Sequence, residues 1–140
     1  MNVTFDATRV TALLDKSAKA LPSDIDAALF KTAQAGIQII TNKLDEGKGY
    51  KGRLKPYTPE YLRWKREKFG AVSSTVNLQL TNQMVKSIIP VRGRGFAEIK
   101  LSNPLANKKA YFNNLTRPFF GFSGNNQRNL VRFFKKAVIK

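Results

Sequence analysis

The stretch SDIDAALFKTAQAGIQIITNKLDEG, residues 23–47, decides the fold that the sequence predicts. Ser23 suits the N-cap position, and Asp24 and Asp26 would lie in the first helical turn, where the helix dipole favours negative charge. Gly47 suits the position just beyond the last turn. The apolar residues recur at spacings of three and four, as on one stripe of a long amphipathic helix: Ile25, Leu29, Ala33, Ile37, Ile40 and Leu44.

The segments on either side of this helix predict further helices. Residues 7–20 can form a short helix, and residues 59–69 a helix on the surface, with Thr58 as its cap and proline at its first position. The intervening residues 47–58 are rich in glycine and basic residues. They are expected to form a loop without regular structure.

The period of the apolar pattern changes from three and four to two after residue 88. Residues 88–102 are predicted to form a hairpin of two strands around a Gly-Arg-Gly turn, and the second strand shows the alternation of a half-buried strand. Pro90 lacks a backbone N–H, so it places the first strand at a sheet edge or at that strand's own start.

The C-terminal third predicts a short helix near residues 108–112, a strand through residues 117–122 and a last helix capped by Ser123. The last helix has its own apolar stripe: Leu130, Val131, Phe134, Ala137 and Val138. The elements together predict a single α+β domain, residues 1–140. In it the long N-terminal amphipathic helix and the C-terminal helix pack on a small antiparallel β-sheet.

The composition excludes most catalytic and metal-binding chemistry. The 140 residues include neither histidine nor cysteine, so the commonest general base, zinc ligand and reactive thiolate are missing. Glu98 and Lys100 resemble half of a magnesium-dependent nuclease motif, but such a site needs at least two convergent carboxylates. We therefore expect a protein that is not an enzyme and that binds no metal and no cofactor. No apolar run is long enough to span a membrane.

The charge is strongly positive, with a net value of +16 from 25 basic and 9 acidic residues. Such an excess implies an acidic partner, usually nucleic acid, or else a basic surface that is simply solvated. Because no base-reading motif is present, any contact with DNA is expected to be independent of sequence. The candidates to face DNA are the basic residues of two loops: Lys48, Lys51, Arg53, Lys55, Arg92 and Arg94.

Aromatic residues are interleaved with the basic residues between positions 48 and 68, and they allow two interpretations. Mixtures of this kind bind single-stranded nucleic acid by stacking on the bases. Alternatively, the aromatic side chains anchor a surface helix to the core. The second interpretation is favoured for Tyr61 and Trp64.

The run RPFFGFS, residues 117–123, places three phenylalanines within four residues. Side chains of a strand alternate between its two faces, so all three rings cannot face the core, and Phe119 or Phe120 should face away. Arg117 beside them could bind a carboxylate or a carbonyl with its forked guanidinium. Four residues are therefore candidates for a subunit interface: Arg117, Pro118, Phe119 and Phe120.

Four features together resemble the tail-completion and virion-morphogenesis proteins of tailed bacteriophages, which act at the head–tail junction. The first is the long amphipathic N-terminal helix. The other three are GRLKPYTPEYLRWKREKFG, LQLTNQMVKSI, and NNLTRPFFGFS ahead of a final helix. The most specific is RPFFGFS, which is similar to the family's Arg-Pro-Phe-Leu-Gly-Phe-Ser. Asn82 stands where the family usually has glycine, a mild departure because asparagine tolerates left-handed backbone geometry.

The resemblance implies a structural virion protein of the phage neck with no enzymatic activity. Such proteins assemble as homo-oligomeric rings between the portal complex and the tail, in contact with neighbouring neck and tail proteins. DNA passes through the rings, so the basic loops would face a channel. The implied location is the virion, and the host cytoplasm during assembly. A free-standing DNA-binding protein without sequence preference is the alternative that explains the charge equally well.

Overall fold

The computed structural model describes residues 2–6, 22–70 and 83–138, and within them the fold is α+β, as predicted. The helices of this part are α1 (Pro22–Asp45), α2 (Pro59–Phe69), α3 (Gln83–Lys86), α4 (Pro104–Thr116) and α5 (Gly124–Val138). The strands are β1 (Asn2–Asp6), β2 (Lys48–Gly49), β3 (Gly52–Arg53), β4 (Ile88–Arg92) and β5 (Phe96–Leu101). The helix predicted over residues 7–20 lies outside the described residues. None of these five helices is long and apolar enough to cross a bilayer.

The larger sheet has the strand order β1–β5–β4, and both of its pairings are antiparallel. The β4–β5 hairpin is the predicted one, and Ala97, Ile99 and Leu101 alternate into the core as expected. Pro90 lies in β4, which is an edge strand, so the prediction for this residue is confirmed. The local pattern did not predict β1, because its pairing partner lies in the last third of the chain.

Helix α1 packs against β4 and β5 of the larger sheet and against α5. Its predicted stripe is confirmed: Leu29, Ala33, Ile40 and Leu44 are buried, and Ile25 and Ile37 pack partly buried against them. The helix begins at Pro22, so Ser23 lies inside the first turn rather than at the N-cap.

Two glycines adjust α1 to its surroundings. Gly47 ends the helix with a left-handed φ of 71° and donates its N–H to the Leu44 carbonyl, as the sequence predicts. Gly36 lies against the Phe122 ring, where an added Cβ would come within 2.8 Å of Cζ. The absence of a side chain at Gly36 therefore allows the C-terminal segment to approach the middle of α1.

Helix α5 follows the predicted pattern closely. The Ser123 Oγ accepts a hydrogen bond from the Asn126 N–H at 3.2 Å, which makes Ser123 the N-cap. Leu130 and Phe134 are buried, whereas the basic residues Arg128, Arg132 and Lys136 are exposed. The amphipathic stripe thus fixes which side of α5 meets α1.

Residues 47–58 correct the expectation of a loop without regular structure. Strands β2 and β3 pair there as a two-stranded sheet, joined by the turn at residues 50–51. Gly49 is buried beneath the chain at Pro118, and a Cβ on Gly49 would lie 1.8 Å from the Pro118 carbonyl oxygen. Glycine permits this close approach, so the hairpin lies directly against the segment after α4.

Helix α4 is longer than the predicted helix near residues 108–112. Asn103 caps it, since its Oδ1 accepts hydrogen bonds from the N–H groups of Leu105 and Ala106 at 2.8 and 3.4 Å. Pro104 occupies the first helical position, where the missing N–H has no helical partner to lose. The prediction placed this helix correctly and missed its first turn and its last.

Candidate interaction surfaces

The segment after α4 does not form the predicted strand, and the expectation that Phe119 or Phe120 faces away from the core is wrong. Asn114 turns the chain, because its Oδ1 accepts hydrogen bonds from the N–H groups of Phe119 and Phe120 at 3.0 and 2.9 Å. In this irregular backbone the side chains need not alternate. Phe119 and Phe120 are both buried, with 2% and 5% of their surfaces exposed.

Arg117 makes contacts within the chain rather than presenting a free guanidinium fork. Its Nε donates to the Lys55 carbonyl at 2.8 Å and its Nη2 to the Pro56 carbonyl at 3.2 Å. Its Cζ lies 5.0 Å from the centre of the Tyr57 ring. Pro118 is half-buried against Gly49. Arg117 and Pro118 therefore connect the segment after α4 to residues 49–57, whereas Phe119 and Phe120 belong to the core.

The strongest exposed apolar surface in the described part of the chain is the outward face of α4. The small side chains of Ala106 and Ala110 are buried in the core. At 3.6 residues per turn, the opposite side of the helix carries an arc of about 120° with four large apolar side chains. They are Leu105, Tyr111, Phe112 and Leu115, with exposed fractions of 53%, 54%, 57% and 65%.

The sequence contains the signal for this face only when the whole of α4 is considered. Leu105 and Leu115 fall outside the predicted helix near residues 108–112, so the stripe could not be recognised within it. Over the full length of α4, large apolar residues occupy one side and alanines the other. A helix with its large residues outward and its small ones inward is the reverse of an ordinary surface helix.

The six basic residues predicted to face DNA are all exposed, but they form two separate groups. Lys48, Lys51, Arg53 and Lys55 follow the C-terminal end of α1. Arg92 and Arg94 lie at the β4–β5 turn, which is fixed to the other end of α1 by a 2.7 Å hydrogen bond from the Gly95 N–H to Asp26 Oδ1.

The length of α1 separates the two groups. Nineteen helical steps from Asp26 to Asp45 span about 30 Å at the ordinary helical rise. Three side chains already have local partners. Lys48 Nζ lies 3.1 Å from Glu46 Oε2, Lys51 Nζ lies 5.6 Å from the Tyr50 ring centre, and Arg92 Cζ lies 5.4 Å from the Phe30 ring centre. The structure therefore places positive charge at both ends of the long helix rather than in one patch.

Four aromatic side chains form a row that runs from Tyr57, just before α2, to Phe69 at the end of this helix. The ring centres of Tyr57 and Tyr61 are 4.9 Å apart, those of Tyr61 and Trp64 5.7 Å, and those of Trp64 and Phe69 6.1 Å. Trp64 is 42% exposed and Phe69 50%, so the expectation that Trp64 anchors α2 to the core is wrong. Tyr61 is half-buried.

Glu98 lies half-buried in β5, between Thr4 of β1 and Val91 of β4 in the strand register. Residues 2–6, 22–70 and 83–138 contain no group of three acidic, histidine or cysteine residues that could hold a metal ion.

No family model, curated protein or solved structure matches the chain. The functional interpretation therefore depends on the exposed surfaces and on the resemblance of the sequence to tail-completion proteins.

Proposed function

We propose that the chain is a non-enzymatic structural protein of a tailed-bacteriophage neck, where it forms a ring between the portal complex and the tail. The observation that carries this proposal is the outward face of α4, with its four large exposed apolar residues. Apolar patches of this kind mark surfaces that meet another protein. The resemblance of four sequence features to tail-completion proteins supplies the kind of assembly.

Burial of the α4 face would contribute substantially to association. A fully buried aromatic side chain hides about 150–250 Å², so Tyr111 and Phe112 each leave on the order of 100 Å² in water. At about 25 cal/mol per Å², each would contribute roughly 2.5 kcal/mol before the costs of association are subtracted. Tyrosine and phenylalanine are also enriched at interface centres.

The α4 face replaces Arg117–Phe120 as the proposed subunit contact. A ring requires two different patches on every subunit, because each copy meets its two neighbours with different surfaces. The proposal assigns one of these patches to α4. The net charge of +16 opposes self-association at low salt, and screening by added salt should relieve this repulsion.

The proposal is tested directly by electron microscopy of neck-containing particles and by light scattering of the purified protein. Ring-shaped density between portal and tail that carries this chain is the expected result. Particles that join heads to tails normally in the absence of the protein would overturn the proposal.

We expect Leu115→Glu to leave the fold intact and to abolish assembly. Leu115 is the most exposed of the four residues, so a charge there should change the free energy of unfolding by no more than about 0.5 kcal/mol. In a buried contact, the same carboxylate would be costly to desolvate. Thermal unfolding and incorporation into particles are the two measurements.

Gln34→Glu is the matched control, since it adds the same charge at an exposed position on α1. It should fold and assemble normally. If Leu115→Glu assembles as well as Gln34→Glu, the α4 face is not a subunit contact.

Sequence-independent binding of DNA is the second candidate, and the exposure of all six predicted basic residues favours it. Binding by charge releases counterions, so the affinity should fall steeply and linearly on logarithmic axes as salt rises. We expect Lys51→Gln combined with Arg53→Gln to reduce that slope by up to about 2. Titrations at several salt concentrations measure it.

Two results would contradict DNA binding of this kind. One is an affinity that stays constant as the salt concentration rises. The other is a strong preference for one DNA sequence, because six side chains in two distant groups provide no base-reading element.

A further inference from the structure

The aromatic row on α2 lies within the most basic stretch of the chain. Between residues 48 and 68 there are eight basic side chains and two acidic ones. Seven of the eight basic residues are exposed, and the eighth, Lys65, is buried with 4% of its surface accessible. Exposed aromatic rings and exposed basic side chains are thus combined within one segment of the chain.

The inner end of the row is fixed to the body of the protein. Two cations lie over the Tyr57 ring, with Lys65 Nζ at 5.1 Å and Arg117 Cζ at 5.0 Å from its centre. Arg117 is itself held by hydrogen bonds to two main-chain carbonyls. Cation–π contacts and these hydrogen bonds hold Tyr57 in position, so the row starts from a rigid base.

The outer end of the row is open. Trp64 and Phe69 are among the exposed aromatic residues, and each has a basic neighbour at helical spacing. Lys68 lies one turn beyond Trp64, and Arg66 lies one turn before Phe69; both are exposed. A ring and a positive charge are therefore presented together at two successive positions.

We propose that this surface binds single-stranded nucleic acid. Unpaired bases would stack on Trp64 and Phe69, while the phosphates contact Lys68, Arg66 and the basic residues next to β3. Proteins that bind single strands without sequence preference combine these same two elements, a basic track and exposed aromatic rings. In a duplex the faces of the bases are already stacked on one another, so the rings would contribute little to its binding.

The charge of α2 favours this ligand over an apolar protein groove. A dry protein contact at Trp64 would remove Lys68 and Arg66 from water without the phosphates that could pair with them. Helix α2 also makes only sparse contacts with the other described elements, and Trp64 and Phe69 are exposed, so these two rings have little role in the core. The proposed role deepens the second candidate function by naming the form of nucleic acid, and it does not depend on the neck assignment.

Trp64 provides a direct test, because it is the single tryptophan of the chain. Titration of the full-length protein with a 20-nucleotide oligo(dT) strand should quench its fluorescence in a saturable manner. A duplex of the same length should bind with little quenching. In parallel, anisotropy of a labelled strand measures the affinities of the variants.

We expect Trp64→Ala to weaken binding of the single strand by about 5- to 150-fold, the range for loss of one base stack. Its affinity for the duplex should change by less than about twofold. Trp64→Phe keeps a ring and should retain most of the affinity. The control is Phe133→Ala, which removes an aromatic ring of similar exposure, 41% against 42% for Trp64, from α5. It should bind both ligands like the unchanged protein.

Each contrary outcome has a separate meaning. Two results would contradict stacking of bases on Trp64 and Phe69: binding of the single strand without quenching, and equal losses of affinity for single strand and duplex in Trp64→Ala. Either result would leave DNA binding by charge in place. If the protein binds neither the single strand nor the duplex, both the stacking of bases on α2 and sequence-independent DNA binding are wrong. The melting temperature of each variant shows whether it is folded. If Trp64→Ala does not fold, Phe69→Ala decides the matter, because it removes the other exposed ring of the row and should also weaken binding of the single strand but not of the duplex.

Discussion

Phe119→Ala should lower the free energy of unfolding by about 3–5 kcal/mol, the usual cost of removing a buried phenylalanine ring. Phe119 is among the largest fully buried side chains of the described residues, and its ring contacts that of Phe120 edge to face, with centres 6.0 Å apart. Whole domains are stable by only about 5–15 kcal/mol. The variant should therefore unfold at a much lower denaturant concentration, as a urea titration followed by circular dichroism would show.

Phe112→Ala is the matched comparison, because it removes the same ring from an exposed position on α4. Its unfolding free energy should change by about 0.5 kcal/mol or less. If Phe119→Ala is nearly as stable as the unchanged protein but fails to assemble, Phe119 is an interface residue, as the sequence predicted. That result would also show that the ring is not part of the core.

Asn114→Ala should cost about 2–6 kcal/mol, because one side chain satisfies two main-chain donors. Its Oδ1 accepts from the N–H groups of Phe119 and Phe120, and both of those residues are buried. Each buried donor left without a partner costs about 1–3 kcal/mol. The loss should appear as a lower melting temperature in calorimetry.

Two neighbouring changes make this prediction specific. Asn113→Ala removes only an exposed hydrogen bond to the Lys109 carbonyl one turn back, so its effect should be small. Asn114→Asp keeps an oxygen that can accept from both N–H groups and should recover most of the stability. If Asn114→Ala is as stable as Asn113→Ala, the hydrogen bonds of the Asn114 side chain do not stabilise the fold.

The elements that the sequence predicts well are those defined by their own residues. The stripe of α1, the alternation of β5 and the Ser123 cap of α5 each depend on spacings within one short segment. Burial follows from such spacings because the periods of helices and strands are fixed by backbone geometry. For these elements the chain carries enough local information to identify both the type and the buried side.

The features that the sequence did not predict depend on contacts between distant residues. Phe119 and Phe120 are both buried because Asn114 bends the chain, and no alternation rule describes such a bend. The β2–β3 pair depends on Gly49 fitting beneath Pro118, almost seventy residues farther along the chain. Neither contact leaves a periodic trace in the sequence.

The candidate surfaces were partly predictable. Composition identified the six basic residues, and all are exposed, but only the length of α1 shows that they form two groups. The α4 face required the correct ends of that helix. The exposure of Trp64 could not be foreseen, since the same aromatic spacing would also suit a helix packed on the core.

The pairing of β1 with β5 has a consequence for how the chain is made. Partners in this pair are 90 to 98 residues apart, from Asp6 with Phe96 to Asn2 with Lys100. Ribosomes add about 5–20 residues per second, so β1 is synthesised about 5–20 s before β5 exists. The β4–β5 hairpin, in contrast, can close as soon as its second strand emerges. The strand that leaves the ribosome first must therefore wait for its partner, with its main-chain groups hydrogen-bonded to water in the meantime.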